Sequence, residues 1–363
     1  MKIKMSWLVL IISQSLLLSA CSFGQPDGQQ EESESVTGPS VESKIVAQDL
    51  SIPWSIQKQN NVFYITQRTG GIVEIKGGEK TVVKTSLSKP LSSRPEAGLL
   101  GFVLHPEFKT NQQAFAYYSY DDSGDHYNRV VALKRTANEW TEEKVLLDRI
   151  PSGQFHQGGR LEIGPDDRLY ITTGDATRQD HAQDLSFLGG KILRMELDGG
   201  IPSDNPFDHS YVYSYGHRNP QGLAWNRDGE LYETEHGPNG FDEVNLIKAG
   251  NNYGWPKITG DEKAQAMVSP LAHSGEPSWA PSGADFWKED FVFAALAGQS
   301  VKRFDTETGE VTDLLTGFGR VRDVLVEGDT LYFVSNNTDG RGIPRENDDK
   351  LYEVDLKSVM NEE

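Results

Sequence analysis

Three segments of this 363-residue chain gather side chains and backbone suited to chemistry. The first reads Gln154-Phe155-His156-Gln157-Gly158-Gly159-Arg160 and stands just before a β-rich run. Glycine turns beside His156 can carry the ring into a channel, and an imidazole is the usual general base near neutral pH. A surface or capping His fits the same letters. The second is Tyr215-Gly216-His217-Arg218-Asn219-Pro220-Gln221-Gly222. Arg218 offers a planar fork of donors matched to carboxylates, and Asn219 adds a donor and an acceptor. Pro220 and Gly222 shape the turn that presents them; an Arg paired with one of the chain's many acids is the plainer alternative. The third, Glu235-His236-Gly237-Pro238-Asn239-Gly240-Phe241-Asp242-Glu243, is forced into irregular backbone by Gly and Pro. Such backbone can turn carbonyl oxygens toward a hard cation such as Ca²⁺, although acidic Gly-rich loops are also ordinary turns. No phosphate-cradling glycine loop and no G-x-S-x-G elbow occurs. His217 and His236 lack the spacing of a helical zinc pair.

The elements that carry these loops repeat. A polar turn precedes a β-branched and aromatic run at Val62–Thr66, Ala114–Tyr118, Leu169–Thr173, Leu231–Thr234, Phe291–Ala294 and Leu331–Val334. Several are followed by a second run in which charges and hydrophobes alternate, such as Gly71–Ile75, Lys191–Leu197 and Lys350–Leu356. Period-two patterning of this composition predicts strands, and Asp166-Asp167, Asp228-Gly229 and Gly328-Asp329 supply turns. Six units, roughly 40–60 residues apart, point to an all-β chain folded as a six-bladed β-propeller with four-stranded blades. The chemistry then belongs on loops at one end of a central channel. Two packed β-sandwiches are the alternative.

Composition narrows the function. The chain is 36% hydrophobic and 25% charged, which is globular. Lys and Arg total 35 against 54 Asp and Glu, a net charge of −19, so no nucleic-acid partner is expected. The lone Cys excludes an intrachain disulfide framework and a Cys-based zinc site. At the N-terminus, Lys2 and Lys4 precede a short apolar run, Trp7 to Leu18, and then Leu18-Ser19-Ala20-Cys21. A basic start, a short apolar core and small residues at the cut describe a secretory signal. Small residues directly before Cys21 resemble a bacterial lipoprotein signal, which implies lipidation of Cys21; an ordinary signal peptide with an incidental Cys is the alternative. The expected organisation is a signal peptide over 1–20, a flexible Gly/Ser/Gln/Glu tether over 21–43 and the propeller over 44–360. The expected location is extracytoplasmic, with the membrane reached only through the N-terminal lipid.

Several phrases occur together in a fixed order: Gly98-Leu99-Leu100-Gly101-Phe102 with His105-Pro106-Glu107-Phe108, His156-Gln157-Gly158-Gly159-Arg160-Leu161, and Gly189-Gly190-Lys191-Ile192-Leu193-Arg194. Gly216–Ala224, Glu243–Ile247, Asn252–Pro256 and Gly319–Val324 follow. Across residues 45–357 the chain resembles the soluble pyrroloquinoline-quinone (PQQ) dependent sugar dehydrogenases, in their aldose branch. The resemblance independently implies a six-bladed propeller, PQQ and Ca²⁺ as cofactors, an aldose substrate oxidised at its anomeric carbon to the lactone, and a separate electron acceptor. It implies His156 as the general base at the sugar hydroxyl, and Arg218 and Asn219 at the quinone. It further implies Arg320 and Arg322 at the cofactor carboxylates, the carbonyls of Gly237 and Pro238 on Ca²⁺, Glu96 on the substrate side, and Asp242 and Ser278 at the cofactor.

Departures from the pattern are specific. Phe155 stands where glucose-oxidising members carry an acid beside the base, so His156 must be held another way. The cofactor-binding Lys of those members is replaced near Gly298-Gln299, with Lys302 close by. Glu276 stands where an aromatic would stack on the sugar. Asp261 could serve a second Ca²⁺, but Lys263 falls where another acid is expected. Two other functions fit a propeller: a Ca²⁺-dependent lactone hydrolase, which needs Glu, Asn and Asp side chains around a channel metal, and a non-catalytic carbohydrate- or protein-binding wheel.

Overall fold

Each of the six aromatic runs becomes the second strand of a blade. In a computed structural model, which describes residues 41–360, blade 1 is built from Pro53–Gln59, Val62–Gln67, Ile72–Lys76 and Glu79–Ser86. Blades 2 to 5 repeat the antiparallel meander and begin with the inner strands Leu99–Leu104, Gly158–Ile163, Pro220–Trp225 and Pro281–Trp287. Blade 6 takes Val321–Glu327, Thr330–Ser335 and Leu351–Asp355, and its fourth strand is Ser43–Ala47 from the opposite end of the chain. Ser43, counted with the tether in the sequence reading, already pairs with Val354. The six inner strands touch in succession, and that of blade 6 meets that of blade 1, so the ring closes. The outer strands of blades 1 and 2 also pair in parallel, Lys84 with Glu139 through Ser86 with Thr141, which fuses those two blades into one eight-stranded sheet.

The second strands are buried on both faces. Phe63, Tyr64 and Ile65 are all buried. Their alternation separates two neighbouring blades. Phe63 and Ile65 pack with Tyr332 and Val334 of blade 6, whereas Tyr64 packs with Phe102 and Trp140 of blade 2. Phe63 meets Tyr332 edge-on at 4.9 Å between ring centres, and Tyr64 meets Trp140 at 6.0 Å. Burying a ring of this size stabilises by about 2–3 kcal/mol, so each blade is bonded to both neighbours through one strand. The rigid wheel that results fixes the loops at the channel ends. The signal segment, Cys21 and most of the tether lie outside the described residues.

Candidate active site

The hairpin that opens blade 3 pairs Gly158 with Thr173. His156 lies two residues before that pair and Asp175 two residues after it, so both stand at the open end of the hairpin, side by side. His156 Nδ1 stands 2.7 Å from Asp175 Oδ1. Asp175 is buried and tied down: its Oδ2 accepts the Trp255 indole N–H at 2.8 Å, and its Oδ1 accepts the Thr177 N–H at 2.7 Å. A carboxylate only accepts, so Nδ1 carries the hydrogen and Nε2 is left bare to take a proton. His156 sits in the left-handed region at φ 63°, and Gly174 makes room for it: a Cβ at 174 would stand 2.0 Å from His156 O. Phe155 contributes no polar group; Asp175 does the holding, and sequence reasoning had missed it.

Glu96 closes the other side. Its Oε2 accepts the His156 N–H at 3.0 Å, and its Oε1 pairs with Arg341 at 2.8 Å. Burial pushes the Glu96 carboxyl up, but Arg341, the His156 N–H and His236 outweigh it and leave the group below the ordinary carboxylate value. Glu96 lines a cavity together with Trp54, Arg68, His236, Arg320 and Arg322.

Guanidinium groups dominate this cavity. Arg322 is nine-tenths buried, donates to Gln221 Oε1 at 2.8 Å, and has no carboxylate partner among the described residues, where its enclosed Nε is also unpartnered. Burial, with Arg320 and Arg68 adding repulsion, pulls its pKa down to about 9 against the opposing pull of Asp339 and Glu96. Arg320 is held by Asp339 at 2.9 Å. Arg218 borders the adjoining hollow, lies 5.4 Å from the Trp255 ring centre, donates to His236 O at 3.1 Å, and also has an enclosed Nε without an acceptor among the described residues. A buried cation without a partner is costly, and the buried Arg322 with the half-buried Arg218, each keeping an unspent donor, fits a ligand carrying several carboxylates. That is the chemistry of PQQ, a trianion.

The Gly237–Pro238 turn borders an adjoining hollow with Arg218 and His236, and His236 lines both spaces. Gly237 is sterically required: a Cβ would stand 2.2 Å from Phe241 O. Neither the Gly237 nor the Pro238 carbonyl accepts a hydrogen bond from the described residues, so both remain open to a cation. Asp242 holds this turn. It accepts from Gly237 N, Ser278 Oγ, Trp279 N and Ala280 N at 2.6–2.8 Å. Asp242 and Ser278, assigned to the cofactor on resemblance, are thus spent on each other and on the loop. Asn219 accepts the Gly158 N–H at 3.0 Å and joins the base loop to the Arg218 loop. His236 donates from Nε2 to Pro281 O at 2.8 Å, and burial first of all pulls its pKa to about 3, so it is a neutral acceptor at Nδ1.

Other positions fall elsewhere. Lys302 reaches Asp313 at 2.6 Å and does not replace the missing lysine; Gln299 follows Gly298 in a turn at φ 51°. Glu276 is exposed. Asp261 is almost fully exposed and meets only His273, at 3.2 Å, and Lys263 is exposed, so no carboxylate pair for a second Ca²⁺ forms there. Besides Asp175, the sequence reading missed Arg68, His236, Asp339 and Arg341. Asp339 and Arg341 sit in the irregular segment between the second and third strands of blade 6, where no periodicity marks them.

Residues 50–345 match the Glucose / Sorbosone dehydrogenase family. Quinoprotein glucose dehydrogenase B of Acinetobacter calcoaceticus is 33% identical over 69% of this chain and 60% of its own length, so the chain spans about three fifths of that relative. An aldose sugar dehydrogenase of Escherichia coli is 30% identical over 83% of this chain and 91% of that protein. The PQQ-bound aldose sugar dehydrogenase of Streptomyces coelicolor superposes with a TM-score of 0.80 at 33% identity, covering 88% of this chain and 99% of that one.

Proposed function

The chain belongs to the glucose/sorbosone dehydrogenase family, and from that premise we propose that it oxidises an aldose at the anomeric carbon to the lactone. PQQ, bound beside Ca²⁺, supplies the two-electron hydride acceptor. His156 Nε2 takes the proton of the anomeric hydroxyl, while Asp175 fixes the tautomer and stabilises the imidazolium that forms. Arg322 and Arg218 bind the cofactor's anionic oxygens. The Gly237 and Pro238 carbonyls hold Ca²⁺ as hard oxygen ligands. Glu96 positions the His156 backbone and offers a carboxylate at the substrate side. The observation that carries this reading is the buried Arg322 and half-buried Arg218, neither paired with a carboxylate among the described residues, beside a His–Asp pair with a bare nitrogen.

The hydrolase alternative needed Glu, Asn and Asp side chains around a channel metal. The cavity beside Glu96 is lined by arginines and offers only Glu96 and Asp339 as acids among the described residues. A binding wheel without catalysis has no use for the His156–Asp175 pair. Titration of the apo-protein with PQQ and Ca²⁺, followed by a panel of aldoses and a reducible dye, tests the proposal. Reduction is expected; His156→Ala should keep PQQ affinity and abolish reduction. Arg322→Ala should weaken PQQ binding by about 2 kcal/mol or more, roughly thirtyfold. Equal PQQ affinity in wild type and Arg322→Ala, or turnover in His156→Ala, would sink the assignment. We further propose an extracytoplasmic, lipid-anchored location, supported by Leu18-Ser19-Ala20-Cys21 and checked by whether Cys21→Ala moves the protein from membranes to the soluble fraction.

A further inference from the structure

Blade 4 buries an unusual set of groups under Arg218. Glu233, Glu235 and Glu243 are 0%, 3% and 8% exposed, and no Lys or Arg among the described residues pairs with them. Among the described residues the one basic side chain in contact with them is His217, fully buried, whose Nδ1 lies 3.1 Å from Glu235 Oε1; the Arg218 guanidinium acts on Glu235 only from a distance. At the centre is the Asn245 amide, 1% exposed. Its Nδ2 stands 3.1 Å from Glu233 Oε2, 3.3 Å from Glu235 Oε1 and 3.3 Å from Glu243 Oε2. An amide has two N–H groups and cannot give three carboxylates one hydrogen each. Two atoms here have no partner: Glu233 Oε1 and, independently, Asn245 Oδ1. Each buried orphan is unfavourable, and a buried carboxylate without a counter-charge more so.

We propose that His217, Glu233, Glu235 and Asn245 bind one divalent transition-metal cation of the Mn²⁺ or Zn²⁺ class, a site distinct from the Gly237–Pro238 carbonyls. Which end of an amide is oxygen is assigned from the hydrogen-bond network. Turned over, Asn245 Oδ1 takes the position 3.1–3.3 Å from three carboxylate oxygens. Oxygens about 2.2 Å from one octahedral ion stand about 3.1 Å apart, so this spacing is that of ligands sharing a cation. The ligand atoms of His217, Glu233 and Glu235 all lie within 4.8 Å of one another.

Surrounding groups orient the set. Ser214 Oγ is 2.8 Å from His217 Nε2; an Nε2–H donated there leaves the Nδ1 lone pair facing the carboxylates. Tyr253 stacks on the imidazole at 4.9 Å, and the Arg218 N–H holds Glu235 Oε2 at 2.6 Å. The Gly260 N–H holds Glu243 Oε1 at 3.1 Å, which keeps that carboxylate at the rim. A ligand set mixing imidazole and oxygen favours Mn²⁺ or Zn²⁺ over Ca²⁺, which takes oxygen alone.

The test uses the folded chain without quinone, so it stands or falls separately from the dehydrogenase reading. Wild type and Glu233→Gln are dialysed against Zn²⁺ and against Mn²⁺, each with excess Ca²⁺ to occupy hard-oxygen sites, and bound metal is counted. Circular dichroism checks that both are folded. The expected result is one equivalent of Zn²⁺ or Mn²⁺ on wild type, with affinity weakened about tenfold or more in Glu233→Gln. A second variant, His217→Gln, should weaken binding of Zn²⁺ as well. No bound Zn²⁺ or Mn²⁺ on wild type, or equal binding by wild type and Glu233→Gln, overturns the site.

Discussion

His156 depends on a neighbour that its own loop does not supply. The Asp175 carboxylate accepts the Nδ1 hydrogen, the Trp255 indole N–H and the Thr177 N–H, so its position is fixed from three directions. Asp175→Asn keeps size and burial but can turn an amide N–H toward Nδ1. That favours the tautomer with hydrogen on Nε2, the nitrogen proposed to receive the substrate proton. Turnover of the PQQ-loaded enzyme should fall about a hundredfold or more, with KM and PQQ affinity little changed. Steady-state kinetics with a separate PQQ titration checks this, and unchanged turnover would reduce Asp175 to a packing residue. The pair was legible in principle. Gly158 and Gly159 announce a turn into a strand, and Leu169–Thr173 is a strong strand pattern. Closing that hairpin in register sets residues 156 and 175 side by side. What hid Asp175 was distance along the chain, because no local motif links two residues whose contact is made by the hairpin.

At the scale of elements, the six second strands were readable because aromatic and β-branched side chains fill them. The inner strands were less so, since they bury polar side chains: Ser55, Arg160 and Asp323 are all nearly inaccessible. Those buried side chains separate regions of opposite charge. Arg160 lies over Trp54 at 4.5 Å and pairs with Asp323 at 3.1 Å, while Arg322 approaches the same Trp54 at 5.9 Å. Beyond Asp323 a second cavity, of about 320 Å³, is lined by Glu162, Asp285 and Gln57. Burial pushes Glu162 up to about 8; Arg160 opposes this, and Asp323 and Asp285 reinforce it. Burial likewise pushes Asp285 up to about 6, against the Val326 and Phe286 N–H groups. Below about pH 4.5 the Glu162 carboxyl is protonated whether the chain is folded or not, and its ionisation costs nothing. Between that value and about 8 only the unfolded chain readily releases the proton, so Glu162 lowers stability as pH rises through this window and adds no further change above it. Glu162→Gln should therefore leave Tm nearly unchanged at pH 4 and raise it by on the order of a few degrees at pH 8. Parallel thermal melts of the two proteins decide it; equal shifts at both pH values would show that Glu162 is not held neutral.

For the whole molecule, the critical joint is the one between the chain's two ends. Ser43–Ala47 pairs with Leu351–Asp355, Lys44 opposite Glu353 and Ile45 opposite Tyr352. The exposed Lys44–Glu353 ion pair at 3.1 Å adds little, as surface pairs do. Ala47 and Leu50 count for more, because they enter the core that joins blade 6 to blade 1 with Ile56, Phe63, Val73 and Leu351. Lys80 reinforces the joint by donating to Gln48 O and Asp49 O at 2.7 and 2.8 Å. Sequence patterning did not mark this strand, since SKIVA is short and begins in a polar stretch, and its partner lies more than 300 residues away. Removing residues 1–40 leaves the joint whole and should leave Tm unchanged. Removing residues 1–48 strips the fourth strand from blade 6 and leaves the main-chain groups of Leu351–Asp355 as an open edge. An edge of that kind invites pairing with another chain. The longer truncation should lower Tm by on the order of 5 °C and shift the protein toward larger species on gel filtration, while the shorter one stays at the size of the intact chain. Two truncations with equal Tm and equal elution would mean that the wheel is held shut by its inner strands alone.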